Sequence, residues 1–226
     1  TVTYEELSKA NYDEIVVATG VTPRQLQFEG IHHPKVLSYI QVLKERVPVG
    51  KRVAIIGAGG IGFDTAEYLS HEGESGSLNP EKFYAEWGID TAYEHVGGLK
   101  QPELEKSERE IYLLQRKTSA LGAGLGKTSG WVHRAQLKKH AVRMLRGVQY
   151  KAVTNEGLWV GMAGQDQLLR VDTIVVCAGQ ESVKDLMPSA EQNTLANYHI
   201  IGGAKLAAEL DAKRAIREGA EIASKL

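Results

Sequence analysis

The sequence predicts an α/β fold built on parallel strands, with one strand-turn-helix unit set between the two halves of another. Three observations predict it. A glycine-rich turn, IIGAGGIG at Ile55 to Gly62, sits where a buried strand gives way to an amphipathic helix. Two near-copies of one strand motif, DEIVVATG at Asp13 to Gly20 and DTIVVCAG at Asp172 to Gly179, flank it. Between them strand-like and helix-like patterns alternate, as they do in βαβ units.

Glu14 to Ala18 is a short apolar run ending in Thr19 and Gly20, which reads as a buried parallel strand. Lys35 to Val47 has apolar residues at helical spacing before Pro48 and Gly50, so a connecting helix or linker is predicted. Arg52 to Gly57 is a second buried strand, and Gly62 to Ser70 puts Phe63, Ala66 and Leu69 on one helical face. Residues 73–107, rich in Gly, Ser, Glu and Pro, exceed an ordinary helix-to-strand link and read as an insertion. Its aromatic cluster, Phe83, Tyr84 and Trp87, predicts local folding against the main domain. Glu110 to Gln115 is the next strand, followed by the loop GAGLGKTSG and a helix over Trp131 to Leu145. Val148 to Val153, Gly157 to Gly161 and Gln167 to Val171 form a small antiparallel ribbon. From Ile200 a strand end, Gly202 and Gly203 lead into an amphipathic helix through Leu206, Leu210, Ala215 and Ile216.

Composition narrows the partners. The 226 residues, 42% apolar and 24% charged, suit a soluble globular chain of one large or two small domains. A formal net charge of -1 supplies no attraction to nucleic acid. The one cysteine, Cys177, excludes an internal disulfide and by itself holds neither zinc nor an iron-sulfur cluster, which fits a reducing, cytoplasmic setting. No run approaches the roughly 18 to 20 apolar residues of a membrane span, and Thr1 to Ala10 is too polar for a signal peptide. A start without Met, close to a strand, is expected of a piece of something longer. His32 and His33 are neighbours in a loop, and none of the seven histidines forms an i, i+4 ligand pair, so no metal site is expected.

In GAGGIG, Gly57 allows the tight turn, Gly59 lets backbone approach a pyrophosphate, and Gly62 permits close helix-to-strand packing. Gly60 and Ile61 complete the turn, and the helix N-terminus that follows supplies the amide donors and positive dipole for the phosphates. A residue closing the second strand selects the cofactor, since an acid there binds the ribose 2'-hydroxyl. Here Gln115 is followed by Arg116 and Lys117, which favours NADP(H) over NAD(H); a solvated basic loop is the plain alternative. Lys127, Trp131, His133 and Arg134 run from a flexible loop into a helix start, another natural anion site. Arg134 is the better phosphate candidate, and Trp131 either covers a base or the nicotinamide or anchors the core. The strand ends Ala18 to Gly20 and Cys177 to Gly179 are small enough for a cofactor to pass over backbone. This layout resembles that of two-dinucleotide flavoproteins, and the resemblance implies a Rossmann-like NAD(P)-binding domain inserted into an incomplete FAD-binding domain. Its predicted parts are 1–47 (FAD-domain segment and linker), 48–171 (NADP(H)-binding domain) and 172–226 (FAD-domain C-terminal segment).

GAGGIGFDTAEYLS, EWGID at Glu86 to Asp90, LLQRK, GLGKTSGWVHR, CAGQE and ELDAKRAI together resemble the C-terminal part of the bacterial NADPH-dependent 2,4-dienoyl-CoA reductases. EWGID and GLGKTSGWVHR separate that family from trimethylamine dehydrogenase, a relative with the same domain plan. The resemblance implies a longer enzyme of fatty acid β-oxidation with a flavin-bearing barrel, an iron-sulfur cluster, FMN and an FAD domain, for which NADPH is the hydride source. It implies that Arg116, Lys117, Trp131, His133 and Arg134 hold NADPH, and that Ala18, Thr19, Gly20, Gly203, Glu209, Leu210 and Ala212 border FAD. The barrel, the cluster cysteines and the FAD glycine fingerprint are not in this chain, so no catalytic residue is assigned, little FAD retention is expected, and the partner is the remainder of the same enzyme. An ADP- or NAD(H)-binding domain of an amine-dehydrogenase-like flavoprotein, and a non-catalytic nucleotide-binding module, are the competing readings.

Overall fold

The computed structural model describes residues 2–71, 73–103, 107–189, 196–208 and 211–226. Thr3 starts α1 (Tyr4–Lys9) with a reciprocal cap, its hydroxyl accepting from the Glu6 amide while the Glu6 carboxylate accepts from the Thr3 amide. Strands β1 (Glu14–Val17), β2 (Val21–Pro23) and β3 (Val36–Ser38) follow, and Ser38 caps α2 (Tyr39–Leu43) in the same manner. Next come β4 (Arg52–Ile56), α3 (Gly60–Ser70), α4 (Pro80–Trp87), β5 (Glu110–Gln115), α5 (Gly130–Lys139) and β6 (Arg143–Arg146). The chain continues through β7 (Gln149–Thr154), β8 (Gly157–Met162), β9 (Gln165–Leu169), β10 (Thr173–Val176), β11 (Gln180–Ser182) and β12 (Asn197–Ile200). It ends with α6 (Gly202–Lys205) and α7 (Ala212–Ala223). Among the described residues no helix is long and apolar enough to cross a membrane.

The chain divides into two compact units, Leu26–Ala178 and the pair Thr1–Gln25 with Gly179–Leu226. In the first, five parallel strands are ordered β3-β10-β4-β5-β6. The central strand β4 is apolar on both faces because both are covered. Val53 and Ile55 join Phe63, Ala66 and Leu69 of α3 and Leu137 of α5 in one core. Ala54 and Ile56 join Leu158, Val160 and Leu169 of the antiparallel ribbon β7-β8-β9 in another. In the second unit β1 pairs parallel with β12 and β2 antiparallel with β11, over a small core of Ile15, Val17 and Ala204.

The division differs from the predicted boundaries at 47 and 171. Thr173–Val176 lies between β3 and β4 in the five-stranded sheet, and Val36–Ser38 pairs with it, so both belong to the first unit. The same pairing makes strand of part of the stretch 35–47, predicted as a connecting helix or linker. The helix predicted over 131–145 stops at Lys139: Ala141 takes a left-handed φ of 58°, and the chain resumes as β6 beside β5.

Within the predicted insertion, the described residues 73–103 fold locally, as its aromatic residues predict. Asn79 caps α4, Pro80 opens it, and Gly88 closes it with a φ of 66°. Phe83 packs against Tyr84 and Trp87 at ring-centroid separations of 6.2 and 6.0 Å. The ammonium of Lys139 on α5 sits 3.5 Å from the Trp87 ring centroid and donates to the Glu86 carbonyl at 3.1 Å. Beyond α4, the Asp90 carboxylate accepts from the Ala92 amide at 3.0 Å, the His95 amide at 2.8 Å and His95 Nδ1 at 2.9 Å.

Candidate functional site

The glycine turn joins β4 to α3. Gly57 has a φ of 108°, and a Cβ there would meet the Cys177 carbonyl oxygen at 2.6 Å, so the end of β10 requires glycine. A Cβ on Gly62 would strike the Gly57 carbonyl oxygen, which is why helix and strand pack this closely. At Gly59 and Gly60 a Cβ would meet nothing within 4 Å, so the space over the turn is open. Gly59 begins α3, its carbonyl accepting from the Phe63 amide at 3.0 Å, and the amides of Gly60, Ile61 and Gly62 form the first helical turn. First-turn amides have no intrahelical acceptor, and with the helix dipole they form an anion cradle.

Arg116 and Lys117 follow β5 in the exposed loop, and neither side chain has a hydrogen bond or ion pair among the described residues. The loop itself is fixed. Gln115 Nε2 donates to the carbonyls of Lys117 at 3.1 Å and Ser119 at 2.9 Å, and the Gly147 amide donates to the Lys117 carbonyl at 3.0 Å. Gln115 therefore braces the basic loop. Burial pushes the Tyr150 hydroxyl up to about 12, with the Arg116 charge opposing. Two free cations on a rigid loop suit a 2'-phosphate.

The α5 residues are placed differently from one another. Trp131 is 57% exposed, which removes the core-anchor alternative. His133 Nδ1 lies 3.2 Å from Glu67 Oε2 on α3, and Arg134 Nη1 donates to the Gly122 carbonyl at 3.0 Å. Both thus brace the loop and the helix pair; Lys127 stays exposed in the loop. Beside them Asp64 is raised above the usual carboxylate range by burial, with His133 opposing.

Of the residues expected to border FAD, Ala18 and Thr19 are exposed at the end of β1, where the Thr19 hydroxyl donates to the Val183 carbonyl at 2.6 Å. Gly20, with a φ of 77°, passes so close to Gly203 that a Cβ on Gly203 would lie 3.2 Å from the Gly20 Cα. The Gly202 amide is engaged: it donates to Glu218 Oε2 at 2.6 Å, and Arg214 Nη2 donates to the Leu206 carbonyl at 2.6 Å. A carboxylate from α7 thus holds the first amide of α6. Ala212 is the first residue of α7, capped by Asp211; Glu209 and Leu210 lie outside the described residues.

Sequence spacing also missed one cluster. His71 at the end of α3, Glu86 on α4 and His140 at the end of α5 bring their ligand-type atoms within 4.8 Å of one another. Burial, then the neighbouring His71, pushes the His140 imidazole below its usual value, while Glu86 opposes. The three residues come from separate elements, so no local motif could announce them.

The family model for pyridine nucleotide-disulphide oxidoreductases matches residues 1–202. A metal reductase of Desulforamulus reducens is 29% identical over 208 residues, 88% of this chain and 28% of that protein. A cinnamate reductase of Clostridium sporogenes is 26% identical over 200 residues, 88% of this chain and 25% of that protein. Among solved structures, a 2-naphthoyl-CoA reductase in complex with 2-naphthoyl-CoA superposes with a TM-score of 0.74 at 21% identity, over 100% of this chain and 28% of that one. The chain therefore spans between a quarter and a third of the length of these relatives.

Proposed function

The chain belongs to the pyridine nucleotide-disulphide oxidoreductase family, whose members are flavin- and NAD(P)-dependent oxidoreductases, and from that premise we propose that it is the NADPH-binding portion of a cytoplasmic 2,4-dienoyl-CoA reductase. In this reading the segments on either side of the dinucleotide unit border FAD, and the remainder of the same enzyme carries FMN, an iron-sulfur cluster and the substrate-reducing barrel. The observation that carries the NADPH assignment is the pair of exposed, unpaired cations Arg116 and Lys117 on the braced loop after β5, with the open glycine turn after the neighbouring β4. The names of the relatives, cinnamate reductase and 2-naphthoyl-CoA reductase, support a conjugated acid or acyl-CoA as the substrate class.

The residues fit NADP(H): three amides and an open floor receive the pyrophosphate, two cations receive the 2'-phosphate, and exposed Trp131 offers a ring face. NADPH supplies a hydride; the chain's part is to bind and orient its donor. The fit to FAD is partial. Ala18, Thr19 and Gly20 offer an exposed strand end, but the Glu218 carboxylate on the Gly202 amide occupies one donor an anionic flavin group would use.

Titration of NADPH and NADH against the protein and its Arg116→Ala, Lys117→Ala double variant tests the reading. Each lost charge-assisted contact to a phosphate is worth about 1.5–3 kcal/mol when well formed, so loss of the two should weaken NADPH binding at least about 100-fold while NADH binding barely changes. Equal binding of NADPH by both proteins sinks the assignment.

A further inference from the structure

We propose that His71, Glu86 and His140 form a site for a divalent d-block cation, zinc foremost, that pins the inserted segment to the dinucleotide-binding unit. The inference is independent of the nucleotide reading. Each residue comes from a different element, and the three ligand-type atoms lie within 4.8 Å of one another. Two of the residues are buried, Glu86 at 8% and His140 at 6% exposure. The imidazoles of His71 and His140 approach to a centroid separation of 4.4 Å at an interplanar angle of 57°.

A hydrogen-bonded His-Glu pair is the plain alternative, and it accounts for the cluster poorly. His140 Nε2 and Glu86 Oε1 are 3.3 Å apart. Hydrogen bonds to a charged partner close to about 2.7–2.9 Å. Ligands around a tetrahedral zinc, with bonds of about 2.0–2.1 Å, lie about 3.3–3.4 Å apart. The pair also leaves His71 out, although its ligand-type atom lies within 4.8 Å of the other two.

The surroundings support a cation. The Gln136 side-chain amide lies 2.9 Å from His71 Nε2, and with its oxygen turned to the ring it accepts the N–H of a His71 that ligates through Nδ1, the type of outer contact that fixes a ligand ring. Lys139 holds the Glu86 carbonyl at 3.1 Å and so fixes the backbone behind the carboxylate. Two imidazole nitrogens and one carboxylate oxygen select zinc and its neighbours over calcium or magnesium, which take oxygen ligands. The three residues line a cavity of about 480 Å³ together with Asn79 and Glu103, which leaves room for water at the remaining position.

The test is zinc uptake by the full, untagged protein dialysed against chelator-buffered Zn²⁺, with metal content and thermal midpoint read for wild type, His71→Gln and His140→Gln. The wild type should take up one equivalent that both variants bind at least tenfold more weakly, and zinc should raise the midpoint of the wild type alone. His71 is only partly buried, so His71→Gln decides the matter if His140→Gln does not fold. Uptake by the variants equal to wild type, or no uptake by the wild type, overturns the proposal.

Discussion

At the scale of single residues, glycines that look alike in the sequence have different duties. Gly62 is held at zero tolerance by the Gly57 carbonyl oxygen, whereas Gly59 faces open space. Gly62→Ala should therefore cost about 2–3 kcal/mol of stability through overpacking. Gly59→Ala should leave stability within about 0.5 kcal/mol yet weaken NADPH binding, because its methyl projects into the space over the turn. Thermal melts and cofactor titration of the two variants separate these outcomes; equal melting points would refute the distinction. The fingerprint made Gly57, Gly59 and Gly62 legible because turn chemistry is local. It could not show that Arg134 braces the Gly122 carbonyl or that Glu67 holds His133, since those partners are chosen by the packing of α3 on α5. The lone thiol was legible as to pairing but not chemistry: burial pushes Cys177 up to about 12, so it stays a neutral neighbour of Thr65.

At the scale of elements, the inserted segment is ordered by caps and short contacts. Asp90 closes the loop after α4, and its bonds, first with the His95 side chain, hold its carboxyl at about 2 against an ordinary value of 3.8. A carboxyl depressed by folding lends stability at pH values above its unfolded value and withdraws it on acidification. The loop should therefore loosen as pH falls from about 4 towards 2. Amide exchange at Ala92 and His95 checks this, with Asp90→Asn losing the pH dependence; protection unchanged across that window would count against it. Element types were mostly legible from periodicity, although the helix expected through Leu206 breaks there, where the backbone is extended, and two other misplacements share a cause. Val36–Ser38 and Arg143–Arg146 are strands because distant β10 and β5 offer them ladders, a pairing no local window contains. Neither Gly nor Pro marks the end of α5, where Ala141 makes the left-handed turn.

At the scale of the molecule, the sequence suggested one unit set within another, and the chain divides in that manner at residues 25/26 and 178/179. The boundary shifted because β10, a near-copy of β1 in sequence, completes the five-stranded sheet. The unit Leu26–Ala178 holds both larger cores and the glycine turn. Expressed alone, it should melt cooperatively and bind NADPH as the whole chain does, whereas a piece ending at Val171 should not fold. Calorimetry and cofactor titration of the two pieces check this; a folded, NADPH-binding shorter piece would return the boundary to its sequence-derived place. The His71, Glu86 and His140 cluster was invisible to spacing because only the docking of the insertion assembles it.

The doubly covered β4 carries a consequence for how such a chain diverges. A strand with one wet face can exchange half its residues freely, but Val53, Ala54, Ile55 and Ile56 are all at 0% exposure, wedged between helices and ribbon. Change there is confined to swaps among small and branched aliphatics, each compensated by a neighbour in one core or the other. Substitution costs least on the outer edge of the ribbon, where Gln165, Asp166 and Gln167 are exposed. Distant members of the lineage would keep the hydrophobic stem that aims the glycine turn while their surfaces become unrecognisable.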